Sequence, residues 1–379
     1  MSGTPAAPLR VLHCHSTFDA GGKEVRAVRL MNAWGGRAQH TIVSAMPQAL
    51  GARALIDPNV GAHFPADFPS LTGWPTPRRL AGIARAMRGF DLVCTYNWGA
   101  MDAVMAHRLF AASFALPPLV HHEDGFNADE ADRLKPTRNL YRRAALAGAA
   151  RVMVPSTGLE RTAREVWHVP PSKLERIANG IDTAAFARKP DPSALPIRKG
   201  EGEFWVGTLA GLRAVKNLCD LVAAFESLPP EWHLVICGEG PEREAILTEA
   251  EALGIAARVH LPGNVDPAGV VGLFDMFALS SQSEQFPLSV VEAMAAGLPV
   301  AAPDVGDIRA MLAEPNRALI TPRGDVAALG EILARLAADP ALRASLGTAN
   351  RERARAEYDF AAMQARYHAV YAAAAGRDF

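Results

Sequence analysis

Long apolar runs are missing from this chain: no stretch approaches the roughly 18 residues that a membrane-crossing helix needs. Cysteine is scarce. The four, Cys14, Cys94, Cys219 and Cys237, form no Cys-x-x-Cys pair. That argues against a disulfide framework or a zinc ribbon and for reduced core residues of a cytoplasmic protein. An excess of either charge is missing too. Lys and Arg number 39 against 40 Asp and Glu, a net charge of −1, so bulk electrostatics points to no nucleic-acid partner. Residues 1–8 have neither a basic start nor an apolar core, and no secretory leader is expected. No Asp-x-Asp stands at an expected strand end to hold a divalent cation. No low-complexity tract interrupts the alternation of strand and helix patterns.

What is present fits two domains of ordinary size. The chain has 379 residues, 49% hydrophobic and 21% charged, a normal globular mix. It is organised around residues 283–300. The apolar run 277–279 reads as a short buried strand, and the stretch after it as loop, helix, turn and strand. Pro287 suits the first turn of a helix, where a missing N–H costs nothing. Gly297 and Pro299 end that helix. The helix is apolar on nearly every side, yet Glu292 sits in its middle, where a carboxylate is costly unless something polar meets it. Glu284 falls at the strand's carboxyl end, where open α/β sheets bind ligands. The free N–H groups of the helix's first turn favour an anion there. Two carboxylates therefore flank an expected phosphate site.

The remaining stretches follow the same alternation. A first strand over 9–15 runs into a Gly21-Gly22 turn that lets backbone approach a ligand closely, then a helix over 25–34. Residues 46–77 read as irregular. A basic helix over 78–88 carries Arg78, Arg79, Arg85 and Arg88. The strand before Gly125 ends in four ionisable residues, His121, His122, Glu123 and Asp124, a site candidate by position. A second basic stretch, 133–147, holds Arg133, Lys135, Arg138, Arg142 and Arg143. The Pro-rich segment 183–202 is the expected linker. A second series opens with a strand over 204–209, then Lys216, a helix over 218–228 and a strand over 233–237. The turn Gly238-Glu239-Gly240-Pro241 starts like a dinucleotide fingerprint but has Arg243 at its third position. A strand over 318–321 and a tail with helical spacing over 360–371 complete the reading.

The string from Glu284 to Val300 resembles the Glu-x7-Glu signature of family 4 glycosyltransferases, with Gln285 where the family usually has Gly. The resemblance extends to the loop Gly21-Gly22-Lys23-Glu24, to Asn179-Gly180-Ile181-Asp182, to Gly238-x-Gly240-Pro241 and to Val259–Gly263. It implies an α/β protein of the GT-B fold, with two Rossmann-like parallel-sheet domains facing across a cleft. The domains would span 1–182 and 183–357, with a last helix in 358–379 crossing back onto the first. It also implies a retaining hexosyltransferase that uses a UDP or GDP sugar, needs no metal or other cofactor, and acts on a glycan or lipid-linked acceptor.

By that resemblance, Glu284 orients donor-sugar hydroxyls, Glu292 binds the ribose and Lys216 grips the diphosphate. The loop at Gly21 and Gly22 faces donor phosphates and acceptor. Gly238, Gly240, Pro262, Gln285, Phe286, Pro287 and Leu288 complete the donor site. The family pairs its Lys with an Arg five residues earlier. Here that position is Gly211, and Arg213 is expected to reach the same phosphate from two residues along. The family's His beside the sugar corresponds by spacing to Asp124, with His121 and His122 as alternatives. The basic stretches in the first domain suggest peripheral contact with an anionic inner membrane face. Two competing readings are a nucleotide-sugar epimerase of the same fold and a degenerate nucleotide-sugar-binding module. A donor-hydrolysis assay separates them.

Overall fold

The computed structural model describes residues 7–126, 130 and 133–379; most of the amino-terminal segment read for a leader lies outside these. The chain divides into two compact units. One comprises residues up to Ala178 together with Gln364–Phe379, the other Asn179–Met363.

The first unit is built on seven strands: β1 (Leu9–His15), β2 (Ala38–Ser44), β3 (Gly61–His63), β4 (Leu92–Tyr96), β5 (Leu119–His122), β6 (Arg151–Val154) and β7 (Leu174–Arg176). They lie in the order β3-β2-β1-β4-β5-β6-β7, with every neighbouring pair parallel. Strands buried on both faces read as near-continuous apolar runs, and Leu92–Tyr96 is buried along its whole length. Helices cover the faces. Leu80, Ile83 and Ala84 from one of them (Pro77–Ala86) pack with Met101 and Val104 from another (Met101–Phe114) over Leu12 and Val93. The terminal helix, Phe360–Ala375, brings Tyr367 and Tyr371 into this unit, both 2% exposed or less.

The second unit has six strands: β8 (Phe204–Leu209), β9 (Trp232–Cys237), β10 (Val259–Gly263), β11 (Met276–Ala278), β12 (Val300–Pro303) and β13 (Ile320–Thr321). Their order is β10-β9-β8-β11-β12-β13, again with every pair parallel. The order reverses between β8 and β11, and in the first unit between β1 and β4. Loops leaving such a switch point at the carboxyl edge diverge and open a crevice.

Several expected boundaries shift. The irregular stretch 46–77 contains the edge strand β3, too short and polar to show a period. The strand over 318–321 shrinks to two residues, because Glu314–Leu319 form a 3-10 turn. The linker stretch holds two short helical turns, Thr183–Phe186 and Pro192–Ala194. Among the described residues no helix is long and apolar enough to cross a membrane.

Candidate active site

The helix Leu288–Ala296 is the second unit's central device. Pro287 stands at its N-cap, not inside the first turn as the sequence reading had it. Its far end is fixed tightly. Gly297 takes φ +82° in the left-handed region, and Arg351 donates from Nη2 to the Ala296 carbonyl at 2.6 Å. A cation there satisfies an orphan carbonyl and complements the helix dipole. Asn316 and Asn350, both fully buried, bond each other at 2.7 Å and hold the backbone of Val300 and Leu298. Together these contacts set the direction in which the helix's amino end points.

That end meets the loops of the switch point. After β8 the chain runs through Gly211 and Arg213 into a 3-10 turn, Ala214–Lys216. After β11 come Ser280, Ser281 and Glu284. Lys216 Nζ donates to Glu284 Oε1 at 2.5 Å, and Ser281 Oγ donates to the same oxygen at 2.8 Å. Ser280 Oγ donates to the Lys216 carbonyl at 3.0 Å, and the Gln282 amide to Val215 O at 2.9 Å. The two loops are thus stitched by side chains and backbone together. Gln285 contributes its carbonyl, which accepts from the Asp307 amide at 3.0 Å.

These loops line an open cavity of about 330 Å³. Arg213, Lys216, Gly238, Asn264, Ser289 and Glu292 form its walls. Two cations, the opening turn of a helix and one carboxylate therefore share a single space. Lys216 is held half-buried by Glu284, whereas Arg213 is exposed. The Arg213 Nε lies 3.5 Å from where a Cβ on Gly211 would stand. The arginine folds back over the position that the family usually fills with its own.

Gly238 lines the cavity, and it and Gly240 also do a structural task. Both adopt positive φ, +144° and +157°. A Cβ on Gly238 would collide with the Ala210 carbonyl, and one on Gly240 with that of Leu212. The Leu212 amide bonds Glu239 O at 2.9 Å and the Ala210 amide bonds Cys237 O at 3.0 Å. The glycines let the β8 and β9 loops interlock, which places Gly211 and Arg213. Pro262 lies within β10, and Phe286 packs edge-to-face on Tyr358 at 5.6 Å. Asn264, Val265, Pro267 and Ser289 were not expected. Only their positions after β10 and in the helix's first turn could have signalled them.

In the first unit, Gly21 is the N-cap of the helix Gly22–Trp34. A Cβ there would stand 2.8 Å from the Glu24 carboxylate, which is 2% exposed, pairs with Lys23 and accepts from Thr17 Oγ1 at 3.1 Å. A side chain at position 21 would therefore press on the protein's own glutamate. Nothing stands within 4 Å of a Cβ on Gly22.

The ionisable run that ends β5 turns mostly into the core, contrary to expectation. His121, His122 and Glu123 are buried, and Asp124 alone of the four keeps some exposure, with its side chain 11% accessible. His122 Nε2 bonds the Tyr371 hydroxyl at 2.9 Å and its Nδ1 bonds the Thr95 carbonyl at 3.2 Å. With both ring nitrogens engaged, His122 has none to offer a substrate. Burial pushes its pKa down to about 3. Burial raises the Asp124 carboxyl, but the Arg26 guanidinium outweighs that and holds it below its usual range. Arg26 grips Asp124 with both Nη atoms and lies over the Tyr367 ring at 5.5 Å. A parallel strand buries its polar residues as fully as its apolar ones, which a local polar pattern conceals.

The basic stretches also divide. Arg142 is fully buried, bonded to Glu130 and stacked 5.0 Å from Trp98. Arg79 is tied to Asp102 at 2.6 Å. Arg78, Arg85, Arg88, Arg133 and Arg143 are exposed. Among the described residues, no group of three His, Cys, Asp or Glu side chains is gathered to hold a metal ion.

Two all-parallel α/β units of this kind are the GT-B architecture of glycosyltransferases. HepE from Anabaena, solved in complex with UDP, superimposes with a TM-score of 0.81 at 19% identity over 96% of this chain and 100% of that one. A model described as glycosyl transferases group 1 matches residues 196–353, and one described as glycosyltransferase family 4 matches 20–185. The chain belongs to the family 4 glycosyltransferases. Among its relatives, a D-inositol 3-phosphate glycosyltransferase of Xylanimonas cellulosilytica is 26% identical over 94% of both chains. A phosphatidyl-myo-inositol mannosyltransferase of Mycolicibacterium smegmatis is 30% identical over 54% of this chain and 53% of that one.

Proposed function

We propose that this glycosyltransferase moves a hexosyl group from a nucleotide-diphosphate sugar to a glycan or lipid-linked acceptor, with retention at the anomeric carbon. The convergence of Arg213, Lys216, the opening turn of Leu288–Ala296 and Glu292 on one cavity carries the reading. Fixed cations and free N–H groups stabilise the charge that grows on a departing diphosphate. Glu292, one turn into the helix, suits ribose hydroxyls as an acceptor of charge-assisted hydrogen bonds. Glu284 fixes Lys216 and, by the same contact, is held where it can take a sugar hydroxyl.

In the step itself, the bond from the anomeric carbon to the diphosphate oxygen breaks as the acceptor oxygen bonds to the same face. The acceptor proton passes to a donor phosphate oxygen. Arg213 and Lys216 supply the countercharge, so the reaction proceeds without a divalent metal. HepE has been solved with UDP and with UDP-glucose, which favours a UDP sugar. The relatives' inositol phosphate and phosphatidylinositol names favour an acceptor with a polyol or lipid head. Exposed arginines of the first unit suit an anionic membrane face as the place of work.

Thermal-shift titration with UDP, GDP and ADP sugars tests the donor, because a ligand that binds only the folded state raises its apparent stability. Incubation of the stabilising donor with and without acceptor then reads transfer. Epimerisation without acceptor, or binding without turnover, would overturn the transferase reading.

A further inference from the structure

The first unit holds a second cavity, larger than the one in the donor unit, at about 500 Å³. Three connections leaving the carboxyl edge of the sheet build it: the segment between β3 and Pro77–Ala86, the one after β4, and the helix Pro136–Leu146 that follows β5. Ligand pockets form at such edges, and those of 300–1,000 Å³ hold drug-sized molecules.

Its chemistry is mainly carbon. Leu71, Pro75, Trp98, Met101 and the Tyr141 ring supply the lining, with Trp98 and Tyr141 edge-to-face at 5.9 Å. The charges that reach it are already matched. Asp102 accepts from Arg79 Nη1 at 2.6 Å and from the Tyr141 hydroxyl at 2.7 Å. Arg138 bonds Glu130 at 3.0 Å and lies 4.9 Å from the Trp98 ring centre. No uncompensated charge among the described lining residues asks for a phosphate in the cavity.

The rim is different. Trp74, between the lining residues Gly73 and Pro75, is 87% exposed. Leu140, beside Tyr141, is 69% exposed. Single exposed apolar residues are ordinary, but two next to the walls of an apolar pocket extend it toward solvent. Arg78 and Arg133, both exposed, flank the same segments. An apolar hollow with a cationic border complements an amphipathic molecule with an anionic or polyol head.

We propose that this pocket holds the hydrocarbon part of a lipid-linked acceptor, an inference that rests on the transferase reading above. The acceptor's apolar stem lies against Trp98 and Met101, and its head stays at the rim near Arg78.

Calorimetric titration of the whole chain tests this with two soluble probes: n-octyl β-D-glucopyranoside below its micelle concentration, and methyl β-D-glucopyranoside. The octyl glucoside is expected to bind at least about tenfold tighter, since each buried methylene adds to the gap. Thr72→Trp and Thr137→Trp fill the pocket from two of its three connections at exposed positions. Each is expected to cut the preference to less than about twofold while the thermal midpoint stays at the wild-type value. Equal affinity for the two probes, no binding of either, or a preference that survives both substitutions would overturn the pocket assignment. Donor turnover is measured separately. A chain that turns over no nucleotide sugar but keeps the octyl preference sinks the transferase reading and leaves the pocket standing. The opposite pair of results does the reverse.

Discussion

Replacing Arg213 with Ala isolates one cation of the donor site. Arg213 is exposed and Gly211 beneath it lacks a side chain, so the loss removes little packing and the fold should keep its melting temperature. What goes is a guanidinium aimed at the cavity. Two unit charges about 4 Å apart interact by roughly 4 kcal/mol at an effective dielectric of 20. An arginine open to solvent delivers a fraction of that, because water screens the site until substrate fills it. A remaining ~1.4 kcal/mol in the transition state is tenfold in rate. Arg213→Ala should therefore lower kcat/KM for the nucleotide sugar by about tenfold or more. Lys216→Ala should cost at least as much, since it also strips Glu284 of its partner at 2.5 Å. The structure supplies a rescue. With Arg213 gone, the nearest atom left to a Cβ on Gly211 is Glu239 O at 3.9 Å, and Gly211 is not among the residues of positive φ. The backbone and Cβ of an arginine therefore fit there without strain, and Gly211→Arg with Arg213→Ala should recover part of the rate. Steady-state transfer with saturating acceptor reads all four proteins. If Arg213→Ala turns over like wild type while Lys216→Ala is dead, Arg213 is no phosphate ligand.

Three further outcomes follow from the geometry. Glu292→Gln should weaken nucleotide binding by about 1.5–3 kcal/mol, the worth of a hydrogen bond to a charged group; equal thermal shifts with UDP in a folded variant would refute the ribose role. Activity should persist in EDTA, and a loss that magnesium or manganese restores would show that Lys216 and Arg213 do not suffice. Acid should destabilise the first unit. Burial holds His13, His15, His40 and His122 below their ordinary pKa of 6.5, with His40 at about 4 and His122 at about 3. Below pH 6.5 the unfolded chain binds protons that the fold refuses, so this stability is complete above that pH and is lost toward pH 4 and below. Each site loses roughly 1.4 kcal/mol per pH unit. A thermal midpoint that is flat between pH 6.5 and 4 would contradict it.

The second unit was more legible than the first because its signals are local. Glu284, the helix around Glu292 and the stop at Gly297 lie within one short stretch, and each has its own chemistry at its own position. Arg213 and Lys216 are three residues apart on a single loop. The walls contributed by Asn264 and Ser289 come from separate connections and meet only when β10 and the helix are placed in the sheet. The run at His121–Asp124 misled for the converse reason. Its polarity is local, but its partners are Tyr371, Thr95 and Arg26, far apart in the chain. His13 bonds Tyr96 and His40 at 3.0 Å each, and neither spacing marks a pair in sequence. The large cavity at Trp98 is invisible in the same way, since two of its three walls come from stretches that read as irregular chain and as a run of basic residues.

The bond between Tyr371 and His122 spans 249 residues, and it bears on the order of synthesis. A ribosome releases the seven strands of the first unit early, yet their core has no Tyr367 or Tyr371 until residues 364–379 emerge. In the interval Arg26 lacks the ring that covers it, and His122 lacks the hydroxyl on its Nε2. The nascent first unit lacks these contacts through the synthesis of the whole second unit. Domains usually fold in the order in which they are made. Here the second unit is complete in sequence before the first.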